Sequence, residues 1–94
     1  MSNGTSNTNA LVGKRIALMG GTAGLGLSAA KAFVAAGARV VAVGLKPENI
    51  TSAQRELGDA ALVLQGDAAL PETAVAAVAQ AVSAWGGLDG LYHV

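Results

Sequence analysis

The stretch LMGGTAGLGL places four glycines among the seven residues from Gly20 to Gly26, directly after an apolar run. Glycine enters positive φ freely and has no Cβ, so a turn made of it can be tight and can let another group come close to the backbone. A strand-to-helix turn of this kind aims a helix N-terminus at whatever lies above it, and the exposed amides and dipole there favour an anion such as a diphosphate. Gly20, Gly24 and Gly26 are spaced G-x-x-x-G-x-G, which is neither the commoner G-x-G-x-x-G fingerprint nor a P-loop with its Gly-Lys-Ser/Thr. A dinucleotide diphosphate is the ligand expected for the loop; the competing reading is a merely tight turn.

For that chemistry the glycines need a strand before them and a helix after them. RIALM, Arg15 to Met19, reads as a buried strand, and about Leu25 to Ala36 reads as the helix, with Leu27, Ala30 and Val34 on one face and Lys31 on the other. Gly37 is placed to end that helix in a left-handed conformation. RVVAVG, Arg39 to Gly44, has the β-branched content of a second strand. A second helix opens at Pro47 and Glu48, shows Ile50, Ala53 and Leu57 on a common face, and stops at Gly58. ALVLQ, Ala61 to Gln65, is the third strand. Pro71 and Glu72 open a third helix, for which Val75, Val78, Ala79 and Val82 are expected to form the apolar stripe and which ends at Trp85-Gly86-Gly87. LYHV, Leu91 to Val94, begins a fourth strand.

The order β-α-β-α-β-α-β predicts an α/β fold with a parallel sheet and right-handed crossovers. In the doubly wound, Rossmann-like arrangement the strands lie 3-2-1-4, and ligands bind at the carboxyl ends of the strands beside the switch between the first and the fourth. The glycines stand at that position.

From Gly13 to Val94 the chain resembles the N-terminal part of a short-chain dehydrogenase/reductase. The family's T-G-x-x-x-G-[IL]-G is matched by Met19-Gly20-Gly21-Thr22-Ala23-Gly24-Leu25-Gly26. LVGKRIAL resembles its approach to the first strand, AAGARVVAVG its first helix end and second strand, LQGDAALPE the segment after its third strand, and WGGLDGLYHV its fourth strand. The resemblance implies an NAD(P)-binding Rossmann half-domain over residues 13–94, with Gly20, Gly21, Thr22, Ala23, Gly24, Leu25 and Gly26 at the cofactor and with Asp67, beside Ala68, facing the adenine. Met19 departs from the family's Thr, and His93-Val94 stands where the family has two Asn of N-N-A-G. The family's catalytic Ser, Tyr and Lys come later in a full-length member and have no counterpart here. Tyr92 is no substitute, because it is expected inside a buried strand with no Lys following at helical spacing.

At the end of the second strand an acidic residue would hold a ribose 2′-OH, whereas a 2′-phosphate prefers a cation. Gly44 occupies that place and Lys46 follows two residues later, which leans toward NADP over NAD; Lys46 is equally readable as a solvated residue at a helix start. Asp67 also reads as a turn former, Trp85 as core, and the lone His93 as a packing or hydrogen-bonding residue rather than a cofactor contact. Glu72 reads as a helix-start charge and Asp89 as a turn residue.

Six basic and six acidic side chains leave the net charge at zero without a like-charged block, so neither nucleic acid nor a membrane surface is an expected partner. Cysteine is absent, which removes disulfides and thiolate metal sites and, with a polar N-terminus unlike a secretory signal, fits a cytoplasmic setting. Residues 1–12 are expected to be a disordered polar tail. Two functions remain open: the cofactor-binding portion of an oxidoreductase, inactive alone, or a stand-alone non-catalytic module for a nucleotide or a partner protein. A chain that stops at Val94 would be a truncated half of the doubly wound fold. The unpaired edge of its fourth strand and wet Val and Ala surface on strands one and four would then favour self-association or pairing with a missing C-terminal half.

Overall fold

A computed structural model describes residues 10–94; residues 1–9, most of the expected tail, lie outside the described residues. The elements are β1 (Arg15–Met19), α1 (Gly24–Ala35), β2 (Arg39–Gly44), α2 (Pro47–Leu57), a single 3-10 turn (Gly58–Ala60), β3 (Ala61–Gln65), α3 (Pro71–Trp85) and β4 (Gly90–His93). The four strands are parallel in the order β3-β2-β1-β4, the topology predicted from the alternation of elements. Leu11 and Val12, assigned to the tail on sequence, lie in a turn over 10–13, where the Leu11 N–H donates to the Ala36 carbonyl at 2.9 Å and the Leu11 side chain packs against the core.

Alternation along the strands divides the core between two faces. Ile16, Leu18, Val40, Ala42 and Ala61 meet Ala30 of α1 and Ala53 and Leu57 of α2 on one side. Ala17, Met19, Val41 and Val43 meet Ala77 and Ala81 of α3 on the other. A sheet covered on both faces accounts for the near-continuous apolar runs of β1 and β2. Gly37, at φ +100°, closes α1 as expected, and the Gln54 side-chain amide donates to the Gly58 and Ala61 carbonyls across the 3-10 turn. Lys31 of α1 and Glu56 of α2 form a salt bridge between the two helices.

Three expectations are corrected. The stripe of α3 that faces the sheet is Ala74, Ala77, Ala81 and Trp85; Val75, Val78 and Val82 are 68%, 36% and 51% exposed, and Ala79 is exposed with them. Both stripes have helical spacing, and the alanine stripe is the one that lets the helix backbone lie close against fully buried Ala17, Met19, Val41 and Val43. Strand one is accordingly buried along Ile16 to Met19 rather than wet. Tyr92 is 52% exposed on β4, its ring 6.0 Å from that of Phe33, rather than inside a buried strand.

Candidate functional site

The glycine loop leaves the carboxyl end of β1 and is pinned at once to β2. The N–H groups of Gly20 and Gly21 both donate to the Val43 carbonyl, at 2.8 and 3.0 Å, and Gly20 turns through φ +95°. That conformation is one a β-branched or bulky residue resists, so Gly20 is needed for the turn itself. Gly26 is needed for packing: a Cβ there would overlap the Gly20 carbonyl oxygen and stand 2.8 Å from its carbon. The first turn of α1 therefore lies directly on the start of the loop.

Gly24 opens α1 at φ +55°, and a Cβ on it would meet nothing within 4 Å. The helix is capped by no side chain, since Ala23 stands at the N-cap in extended conformation, and its first turn carries no acidic residue. The N–H groups of Gly24, Leu25 and Gly26 are thus the ordinary orphan donors of a helix start, beside exposed Ala23 and Leu25. Open space, donor amides and the positive end of a dipole together can hold an anion.

Thr22, next to exposed Ala23, Gly24 and Leu25, is buried. It is 5% exposed, and among the described residues it is the polar side chain in the buried set. It lies over Gly44 at the end of β2: a Cβ on Gly44 would overlap Thr22 Oγ1 and stand 2.7 Å from both Thr22 Cβ and Thr22 Cγ2. The sequence marks Gly44 as the absent acid, but not as the residue whose bare backbone accommodates Thr22. A strand-ending glycine gives no warning of which side chain covers it.

The other expected site residues gather on this same edge of the sheet. Lys46 is exposed and is the N-cap residue of α2, with its carbonyl accepting the Asn49 N–H at 3.0 Å. Gly66 donates its N–H to the Gly44 carbonyl at 2.8 Å and so ties the segment after β3 to the end of β2. Asp67 follows; its Oδ1 accepts the Ala69 N–H at 2.9 Å, the bond of a turn-forming Asp, and Ala68 packs against the core face shared with α3. His93 is exposed on β4 opposite Met19.

At the opposite edge of the sheet, charge is organised in a way the sequence did not reveal. Asp89 accepts from Arg15 Nε at 3.0 Å, Arg15 Nη2 at 3.2 Å and the Arg15 backbone N–H at 2.8 Å. The Arg15 hydrogen bonds hold the Asp89 carboxyl down at about 2, and the carboxylate in turn raises the guanidinium. Among the described residues no group of His, Asp and Glu is arranged to hold a metal ion, and no helix is long and apolar enough to cross a membrane.

Comparison with known proteins gives consistent matches. The family described as short chain dehydrogenase matches residues 14–94. A 3-alpha-(or 20-beta)-hydroxysteroid dehydrogenase of Mycobacterium bovis is 41% identical over 83 residues, covering 88% of this chain and 32% of that protein. Momilactone A synthase of Oryza sativa subsp. japonica is 37% identical over 98 residues, covering 99% of this chain and 36% of that protein. Among solved structures, a 3-ketoacyl-(acyl-carrier-protein) reductase from Brucella melitensis complexed with NADH superposes with a TM-score of 0.78 at 36% identity, over 86% of this chain and 33% of that one. The chain spans about a third of the length of the curated relatives it matches.

Proposed function

The chain belongs to the short-chain dehydrogenase family, and from that premise we propose that residues 13–94 are the part of an NAD(P)-dependent oxidoreductase that binds the diphosphate and adenosine of the cofactor. The observation that carries this reading is the uncapped start of α1, held by Gly26 against Gly20 and facing open space at Gly24. The N–H groups of Gly24, Leu25 and Gly26 would hold the diphosphate, and Gly20 and Gly21 fix the loop that presents them. Thr22, Ala23, Lys46, Asp67 and Ala68 line the same edge and are assigned to the adenosine side.

When bound, the nicotinamide dinucleotide supplies the hydride chemistry. The chain's own residues bind and orient; none is assigned a proton transfer, because hydride exchange with an alcohol or carbonyl needs a positioned acid-base group and these 94 residues hold no counterpart of the family's Ser, Tyr and Lys. For the whole protein we propose hydride transfer between a nicotinamide dinucleotide and an alcohol or carbonyl substrate. NADP is preferred in this reading, since Gly44 offers no carboxylate to a ribose 2′-OH and the cation Lys46 begins α2 two residues later.

Calorimetric titration with NADP and NAD tests the assignment. Binding of at least one of them by the parent protein, abolished in Gly26→Val, is the expected result. A protein that is folded by circular dichroism yet binds neither overturns it.

A further inference from the structure

We infer that Thr22 is a specificity-determining residue of the site, because its side chain occupies the place a side chain at position 44 would take and so keeps a carboxylate away from the ribose 2′ position. The inference rests on the cofactor reading above and deepens it. In that reading the absence of an acid at Gly44 is a fact about one residue; the contacts make it a property of two.

Thr22 is reached three residues after β1 ends, once the loop has been fastened to the Val43 carbonyl by Gly20 and Gly21. That attachment brings the next side chain across the end of β2 and buries it there, at 5% exposure. Gly44 is itself fixed, buried in β2 opposite Gln65 of β3, with its carbonyl accepting the Gly66 N–H at 2.8 Å. Neither backbone is therefore free to retreat without breaking bonds that define the loop or the strand end.

The overlap cannot be relieved by a rotamer change. A Cβ on residue 44 would overlap Thr22 Oγ1, but it would also stand 2.7 Å from Thr22 Cβ, an atom that does not move when χ1 rotates. Non-bonded carbons are at ease nearer 3.5–4.0 Å. Thr22→Ala therefore leaves the obstruction in place, and removal of Cβ by Thr22→Gly is the smallest change that clears it. An Asp at position 44 next to Thr22 is excluded from its productive place; once Thr22→Gly has removed the side chain, it has room to accept from a ribose hydroxyl. A carboxylate there also repels a 2′-phosphate, so one pair of changes acts on both cofactors in opposite directions.

The test is a double-mutant cycle on the protein with Thr22→Gly, Gly44→Asp and the two combined, read by thermal melting and by NAD and NADP titration. Expected is a Gly44→Asp protein that melts well below the parent and gains no NAD affinity. The double variant should recover part of the lost melting temperature and shift the NAD-to-NADP affinity ratio toward NAD by about tenfold or more, the scale of one charge-assisted hydrogen bond. Gly44→Asp, as a single change, melting with the parent and gaining the same preference for NAD would overturn the inference. So would additive melting shifts around the cycle with no change of preference in the double variant. A parent protein that binds neither dinucleotide is a different result, because it removes the cofactor reading itself, and the specificity role falls with it.

Discussion

Arg15 and Asp89 hold β1 and β4 together through backbone and side chain at once. The Asp89 N–H donates to the Arg15 carbonyl at 2.7 Å, the Arg15 N–H donates back to Asp89 Oδ2 at 2.8 Å, and the guanidinium straddles both carboxylate oxygens at 3.0 and 3.2 Å. The clamp stands where β1 begins and just before β4, at the edge of the sheet away from the glycine loop. It sets the register in which Ile16 lies opposite Gly90 and Met19 opposite His93.

Because the Asp89 carboxyl sits at about 2 in the fold against an ordinary 3.8, the folded state favours its ionised form. Its contribution to stability is whole above the ordinary value and is lost as pH falls through the window from 3.8 to about 2. Asp89→Asn is expected to melt below the parent near neutral pH, and its melting temperature should fall less steeply than the parent's across that acid window. Parallel curves for the two proteins would show that the pair does not couple protonation to folding.

The last two glycines of the loop should respond differently to alanine. Gly26→Ala puts a methyl group into the Gly20 carbonyl, and overpacking of this kind costs about 1–3 kcal/mol. Gly24→Ala meets no atom but forces an L-residue to φ +55°, at a cost of about 1–2 kcal/mol that is confined to the loop. Both should weaken dinucleotide binding. Gly26→Ala should also move the Gly20–Val43 hydrogen bond, visible as faster amide exchange at Gly20, whereas Gly24→Ala should leave that amide protected. Equal exchange at Gly20 in the two variants would contradict the division of roles.

The fold was legible because its determinants are local. Apolar runs of five or six residues, Pro47 and Pro71 at helix starts and glycines at helix ends mark the elements, and their alternation leaves one topology. The glycine loop was legible for the same reason. What escaped the sequence depends on tertiary contact. In α3 two apolar stripes of helical spacing compete, and hydrophobicity alone favours the valines, while the sheet accepts the alanines because they allow the closer approach. The Arg15–Asp89 clamp joins residues 74 apart in the chain, and the Thr22–Gly44 contact joins a loop to a strand end. Neither is announced by residue type or spacing.

Lys46 sits at the start of α2, on the edge of the sheet that carries the glycine loop. If its ammonium meets a 2′-phosphate, Lys46→Ala should weaken NADP and 2′,5′-ADP by a similar factor, roughly tenfold for one charge-assisted contact, and weaken NAD much less. The parent 94-residue chain should bind NADP and 2′,5′-ADP comparably, since 2′,5′-ADP keeps the adenosine, the 2′-phosphate and one phosphate of the diphosphate, and no residue here is assigned to the nicotinamide half. Calorimetry with the three ligands reads both points. A variant that keeps the parent's NADP affinity would place Lys46 among ordinary solvated residues at a helix start, and one that loses NAD and NADP equally would take it off the 2′-phosphate.

The two stripes of α3 predict opposite tolerance to substitution on one helix. Ala77 and Ala81 are fully buried against β1 and β2, so Ala77→Leu has no free volume to enter and must push the helix off the sheet. A change of that kind costs about 1–3 kcal/mol, and a chain of this size loses about 4–8 °C of melting temperature for each kcal/mol. Val75, on the same helix and 68% exposed, has no such constraint. Val75→Lys exchanges a β-branched residue for a better helix former at a wet position and should leave stability within about 0.5 kcal/mol of the parent. Val75→Lys also puts a charge into the exposed valine stripe, so any self-association of the chain through that face should fall in sedimentation velocity. If Ala77→Leu were tolerated and Val75→Lys unfolded the protein, the valine stripe would be the one against the sheet, and α3 would have to be turned about its axis.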